Sequence, residues 1–135
     1  MISLDCNVGR LKVDVKFEGK FNILYGDSGT GKTYLFSLLN YYFRKDKHSV
    51  AYINYNTELN GQVENMLKDN KYGVYLIDNA DIFMTCEYFD ILNSKDVIAI
   101  VSLKNRLILP VDCDIKFYDV DLSDMGLFLK ENTMF

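Results

Sequence analysis

GDSGTGKT, at residues 26–33, is the segment around which the rest of this chain is organised. Its residues are Gly26, Asp27, Ser28, Gly29, Thr30, Gly31, Lys32 and Thr33. The segment matches the pattern G-x-x-x-x-G-K-[ST], whose glycines let the backbone turn so that several N–H groups converge on one anion. A helix that begins near Gly31 would add partial positive charge at its N-terminus. The segment therefore predicts a loop that binds phosphate groups.

The residues on either side of this segment predict the elements that such a loop requires. Residues 21–25 form an apolar run broken only by Asn22, which is typical of a strand covered on both faces. After the loop, apolar residues recur at helical spacing, at Leu35, Leu38, Leu39 and Tyr42. In this context Lys32 is expected to reach the β and γ phosphates of a nucleotide, and the Thr33 hydroxyl to ligate Mg²⁺. Tyr34 completes the predicted nucleotide-binding segment.

A second apolar strand ends in a carboxylate. Residues 74–77 are apolar throughout and are followed by Asp78, which is expected to hold the same Mg²⁺, usually through a water molecule. The predicted ligands are therefore ATP and Mg²⁺. A guanine-selecting N-K-x-D segment would have to follow a strand, whereas residues 93–96 have the wrong order and precede one.

Asn79 and Asp81, which follow Asp78, are both candidates for positioning the water that attacks the γ phosphate. Asn79 can hydrogen-bond a water but cannot accept its proton. Asp81 either supplies the missing carboxylate or caps a helix that begins near Ile82. Both interpretations of Asp81 stay open, and one side chain could serve both.

A further candidate ends the apolar strand at residues 97–101. Ser102 is either a sensor of the γ phosphate or a solvated strand end. Arginine is scarce, so an arginine that acts on the transferred phosphate must come from Arg10, Arg44 or Arg106, or from a partner. Arg106 is the nearest of these to Ser102 in sequence.

Composition sets the broad class of the protein. With 135 residues, 49% of them hydrophobic and 25% charged, residues 1–135 are expected to form a single domain. A net charge of -4 gives no electrostatic advantage on nucleic acid, which is not expected as a partner. No apolar run approaches the roughly 20 residues of a membrane span, so membrane insertion is not expected. Three scattered cysteines are interpreted as buried thiols of a reducing cytosol, which predicts a cytoplasmic protein.

Periodicity outlines the remaining elements. Residues 2–8 and 11–17 alternate apolar and polar side chains, which predicts an antiparallel strand pair. Further strands are predicted at residues 50–55, 97–101 and 115–120, and helices at 59–67 and 82–92. The apolar tail at residues 125–135 either closes the core or forms a contact surface.

With these motifs placed, the chain resembles small stand-alone P-loop NTPases of the ABC and AAA (ASCE) type, known as ATP-binding proteins or AAA family ATPases. The motifs that support this resemblance are residues 26–33 and 74–81. It implies an α/β fold: a P-loop three-layer sandwich with a mainly parallel central sheet and an N-terminal antiparallel strand pair. It also implies that another strand separates the Asp78 strand from the loop strand. Relatives usually carry Glu where this chain has Asn79.

The resemblance implies an ATP-binding switch or accessory ATPase with weak intrinsic hydrolysis, helped by an unidentified protein partner or by self-association. The chain lacks an LSGGQ-like signature, and only 15 residues follow Val120, too few for a helical AAA lid. A small-molecule P-loop kinase is the alternative, although such kinases usually need an arginine-bearing lid. A GTPase is a third candidate.

Overall fold

The computed structural model describes residues 1–25, 31–104, 114–124 and 126–131. Eight strands, four α-helices and one 3₁₀ turn lie in these ranges. In chain order they are β1 Ile2–Val8, β2 Leu11–Phe17, β3 Phe21–Tyr25, α1 Lys32–Lys45, β4 Val50–Ile53, α2 Tyr55–Leu59, α3 Val63–Lys68, β5 Val74–Ile77, the 3₁₀ turn Ala80–Ile82, α4 Cys86–Asn93, β6 Ile98–Leu103, β7 Ile115–Ser123 and β8 Gly126–Glu131.

All eight strands belong to one sheet with the order β1-β2-β8-β7-β3-β6-β5-β4. Strands β7, β3, β6, β5 and β4 run parallel to one another. The pairs β1 with β2 and β7 with β8 are antiparallel, and β8 pairs in parallel with β2. β8 therefore joins the N-terminal hairpin to the parallel strands.

The predicted three-layer sandwich with a mainly parallel central sheet is wrong. The sheet is mixed and curls into half a barrel, with 41% of the described residues in strands and 31% in helices. The reason is the strand β8, because its two pairings make the N-terminal hairpin part of the same curved sheet. α1 has 14 residues, but α2, α3 and α4 have only 5, 6 and 8, too few to build full helical layers.

Two expectations about the strands are confirmed. β1 and β2 form the antiparallel pair at the N-terminus. β6 lies between β3 and β5, so one strand separates the strand before the loop from the strand before Asp78.

The core lies on both faces of the sheet, and β3 contributes to both. Leu24 belongs to the cluster that includes the buried face of α1, whereas Ile23 belongs to the cluster around α3 and α4. Asn22 is fully buried in this run, where its side chain donates to the Gly19 and Ala99 carbonyl oxygens and accepts from the Gly19 N–H. These bonds explain why a polar residue interrupts the apolar strand.

The predicted helices differ from the observed ones. The expected helix at residues 59–67 is divided into α2 and α3 by Gly61, whose φ of 66° is left-handed. The expected helix at 82–92 begins only at Cys86, where the Thr85 side chain accepts a hydrogen bond from the Tyr88 N–H. Local apolar spacing did not reveal either break.

Part of the apolar tail and two of the three cysteines lie in the described ranges. Within the tail, β8 carries the fully buried Leu127, so its described part closes the core. Cys6 is partly buried and Cys86 is exposed, which corrects the expectation of buried thiols, and Cys113 lies outside the described residues. In the described ranges, no helix is long and apolar enough to cross a membrane.

We expect Gly126→Ala to destabilise the fold by about 3 kcal/mol, since strain and overpacking each cost about 1–3 kcal/mol. Gly126 has a φ of 137°, and an added methyl group would collide with the carbonyl oxygen of Lys12. Gly61→Ala is the matched control, because Gly61 also has a positive φ but open space around it. Urea denaturation of both variants tests this, and equal losses of stability would contradict it.

Candidate functional site

The predicted site residues lie at the edge of the sheet where β3, β5 and β6 end. These strands are parallel, so their carboxyl ends face the same way. β3 leads into the loop segment, β5 is followed by Asp78, and Ser102 lies near the end of β6. Side chains far apart in sequence therefore converge here, as is common at the carboxyl edge of parallel sheets.

The start of α1 is the described part of the loop segment. Gly31 has a left-handed φ of 91° and its carbonyl oxygen accepts the first helical hydrogen bond, from the Leu35 N–H at 2.9 Å. The helix thus begins where the sequence predicts. Tyr34, on its first turn, is 42% exposed. The predicted residues Gly26, Asp27, Ser28, Gly29 and Thr30 lie outside the described residues.

A chain of hydrogen bonds ties three of the predicted residues together. The Thr33 hydroxyl donates to Asp78 Oδ2 at 3.3 Å, and the Ser102 hydroxyl donates to Asp78 Oδ1 at 2.7 Å. The N–H of Asn79 in turn donates to Ser102 Oγ at 2.7 Å. Both carboxylate oxygens of Asp78 are therefore held in place by hydroxyl groups.

Burial distinguishes this edge from the rest of the described surface. Four polar or charged residues are buried in the described ranges: Asn22, Lys32, Asp78 and Ser102. The side chain of Asn22 bonds the turn at Gly19, and the other three residues all belong to the predicted site. Because burying a charge is costly, an ammonium and a carboxylate each only 6% exposed mark a site built for charged groups.

Tyr52 on β4 also belongs to the surroundings of Asp78. Burial, together with the negative charge of Asp78, raises the pKa of Tyr52 to about 12. Its phenol therefore stays neutral next to the carboxylate. Sequence reasoning missed this residue because the β4–β5 pairing, which sets Tyr52 opposite Leu76, has no local signal in either strand.

Asn79 and Asp81 follow β5 in different ways. Asn79 adopts a left-handed φ of 54°, a conformation that Asn tolerates better than most residues. Asp81 lies within the 3₁₀ turn, and its Oδ1 accepts from the Lys104 N–H at 3.4 Å. The interpretation of Asp81 as a helix cap is wrong, because α4 begins at Cys86 and is capped by Thr85. The catalytic interpretation stays a prediction.

Ser102 is not a solvated strand end. It is 1% exposed, and its hydroxyl both donates to Asp78 and accepts from Asn79. The residue thus connects the carboxylate to the backbone after β5. Its predicted role as a phosphate sensor stays a prediction.

The residues present fit a magnesium ion better than a metal held by protein alone. The described residues contain no group of three or more His, Cys, Asp or Glu that could hold a metal. Mg²⁺, however, is usually bound by one or two carboxylates together with substrate phosphates and water. Thr33 and Asp78, in contact through their oxygens, match that donor set.

Of the two described arginines, Arg44 lies away from this edge. Arg44 lies in the last turn of the helix, where its side chain bonds Asn40 Oδ1 and the Val50 carbonyl oxygen. Arg10 lies in the turn between β1 and β2, and this turn is at the carboxyl edge of the parallel strands because β2 runs antiparallel to β3. Arg106 lies outside the described residues. An arginine that acts on the transferred phosphate stays a prediction.

The assignment of a function rests on the geometry of the residues at this edge. No protein-family model matches the chain, and no curated protein matches it.

Proposed function

We propose that this chain binds ATP with Mg²⁺ at the carboxyl edge of the sheet and hydrolyses it slowly or with a partner, as a nucleotide-dependent switch or accessory ATPase. The observation that supports this best is the hydrogen-bonded chain Thr33–Asp78–Ser102 beside the N-terminus of α1. It joins the end of GDSGTGKT to a buried carboxylate on another strand. A glycine-rich turn without this function would have no need of such a partner.

Different residues would bind the phosphates and the Mg²⁺. Backbone N–H groups of the loop and the N-terminus of α1 would face the phosphate oxygens. Lys32 would neutralise charge on the β and γ phosphates, and its burial keeps water from weakening that attraction. Thr33 and Asp78 would hold the Mg²⁺. When bound, this ion neutralises the charge that develops on the phosphate oxygens.

Slow turnover follows from the residues after β5. Both oxygens of Asp78 are engaged by hydroxyl groups, and Asn79 cannot accept a proton from water. Asp81 is therefore the residue that we assign to the attacking water. Hydrolysis would depend on one carboxylate, without an arginine supplied by α1. Such slow hydrolysis suits a switch whose nucleotide-bound state is recognised by a partner or by a second copy of the chain.

We also propose that the protein acts in the cytoplasm. ATP and Mg²⁺ are available there, and the free thiols Cys6 and Cys86 suit a reducing compartment.

Titration calorimetry with the four common nucleoside triphosphates, each with Mg²⁺, tests the proposed function. We expect one binding site and an affinity for ATP at least equal to that for GTP, because the sequence carries no guanine-selecting motif after a strand. Absence of binding would contradict the proposal, and a clear preference for GTP would favour a GTPase.

We expect Ser102→Ala to raise the Mg²⁺ concentration needed for half-maximal ATP binding by about tenfold, because residues that orient metal ligands typically contribute this much to metal affinity. The variant leaves Asp78 Oδ1 and the Asn79 N–H without their partner. ATP affinity measured in excess chelator should stay unchanged, which separates this effect from general damage to the fold. Ser94→Ala is the control, because the Ser94 hydroxyl bonds only the nearby Ile91 carbonyl oxygen on an exposed helix end. An unchanged Mg²⁺ requirement would contradict this role of Ser102.

A further inference from the structure

The hairpin of β7 and β8 extends beyond the carboxyl edge of the sheet, next to the start of α1. The last observed pair between β3 and β7 is Leu24 with Tyr118, and β3 ends one residue later. β7 continues to Ser123, paired with β8 as far as Gly126. At about 3.3 Å per residue, the hairpin reaches roughly 13 Å past the end of β3.

From Tyr118 outwards, one face of β7 is apolar. Tyr118, Val120 and Leu122 alternate along β7 and so share a face. Tyr118 is buried in the core and Val120 packs against it, whereas Leu122 is 44% exposed at the outer end. Its cross-strand partner, Leu127, is fully buried. The apolar face thus runs out of the core and ends at Leu122.

Leu122 lies against the first described residue of the loop segment. A methyl group added at Gly31 would come within 3.0 Å of Leu122 Cδ2. The exposed apolar side chain and the N-terminus of α1 are therefore direct neighbours. This contact lies on the β7 side of β3.

The groups expected around the γ phosphate lie on the other side of β3. Asp78 follows β5 and Ser102 belongs to β6, and both strands lie on the side of β3 opposite to β7. Thr33 and Asp78 would hold the Mg²⁺ that accompanies the terminal phosphates, so that end of a bound triphosphate belongs next to Asp78. A nucleoside at the other end of the molecule would then lie away from Asp78, on the side of β3 where the hairpin lies.

We infer that Leu122 forms an apolar platform for the nucleoside part of the bound nucleotide, an inference that rests on the proposed function. A leucine side chain packs against the ring of a base or a ribose but has no hydrogen-bond donor or acceptor. The contact would therefore add affinity for any nucleoside without selecting the base. The two acidic residues nearest along β7, Asp119 and Asp121, alternate with Leu122 and so project from the opposite face.

The test compares ATP, GTP and inorganic tripolyphosphate, each with Mg²⁺, in binding to the full chain and to Leu122→Ser. Tripolyphosphate is the probe for the phosphate site alone, because it lacks the nucleoside. We expect the variant to bind ATP and GTP about tenfold more weakly, by the same factor for both, as for the loss of a few carbon atoms from an apolar contact. Binding of tripolyphosphate should be unchanged. Leu59→Ser is the control, because Leu59 is 66% exposed on α2, which follows β4 at the far end of the sheet.

The remaining outcomes overturn the inference in distinguishable ways. Equal weakening of ATP and tripolyphosphate would show that Leu122 acts only by supporting Gly31. Unchanged ATP binding, or an original chain that binds ATP no more tightly than tripolyphosphate, would show that the side chain contributes nothing to nucleoside binding, with the proposed function intact. An original chain that binds neither ligand would overturn the proposed function itself. Melting curves of both serine variants establish that they are folded.

Discussion

Lys32→Met is expected to abolish the rise in melting temperature that Mg-ATP gives the original chain. At about 100 times the dissociation constant, a ligand stabilises the folded state by about 2.7 kcal/mol, which corresponds to roughly 10 °C for a chain of this size. The Lys32 ammonium is buried beside the predicted phosphate position, so its charge acts with little screening by water. Methionine keeps most of the side-chain volume and removes the ammonium group, with its charge and its N–H donors.

Two controls accompany Lys32→Met: melting without nucleotide, and the variant Lys68→Met. The response of each variant is measured against its own melting temperature without nucleotide, because the loss of a buried lysine's contacts lowers stability whether or not ATP binds. Lys68→Met removes an exposed lysine, paired with Glu64 on α3, and should keep the full response to Mg-ATP. A full response in Lys32→Met, or none in the original chain, would contradict the proposed binding site.

Asp81→Asn is expected to lower single-turnover ATP hydrolysis by about 100-fold or more, within the range that a positioned general base contributes. Mg-ATP affinity should stay the same, because Thr33 and Asp78 are unchanged. Asparagine can still accept the Lys104 N–H through its side-chain oxygen, so the change removes the negative charge but keeps this bond. Rapid-quench measurement of product formation, with melting curves as the control for folding, tests the expectation.

Asn79→Glu is the reciprocal variant. We expect no gain in turnover, because Asp81 already supplies a carboxylate and because glutamate at a φ of 54° adds about 1–2 kcal/mol of backbone strain. If instead Asn79→Glu raises hydrolysis by about 100-fold while Asp81→Asn leaves it unchanged, then Asn79 limits turnover and the assignment of Asp81 is wrong. Hydrolysis unchanged in both variants would leave the positioning of water to a partner.

Much of the local structure could be predicted from the sequence. The apolar run at β3, the start of α1 near Gly31 and the strand that ends before Asp78 were all predicted within a residue or two. These features depend on short-range rules, because burial on both faces and helical periodicity leave a repeating pattern in adjacent residues. Lys32, Thr33 and Asp78 are predicted as site residues from motifs, and Ser102 from its position at the end of a strand.

The sequence could not predict which strands pair across the chain, and this is where the predicted fold was wrong. β8 was interpreted only as an apolar tail, yet its pairing with β2 and β7 makes the sheet mixed and curved. The divided helix around Gly61 and the late start of α4 were also missed. In each case tertiary packing overrode a local pattern that was compatible with more than one structure.

By itself, then, the sequence determined which residues are candidates for binding phosphate and magnesium, because GDSGTGKT and a strand ending in aspartate are contiguous signals. Only the tertiary structure decided that Ser102 bonds Asp78 across 24 residues and that Leu122 lies next to Gly31. It also decided that Tyr52 lies close enough to Asp78 for the carboxylate to raise its pKa. The physical reason is that such contacts depend on strand order and register. A shift of register by one residue would turn every side chain of a strand to the other face of the sheet, so register depends on the burial of whole strand faces rather than on the few residues that it brings together.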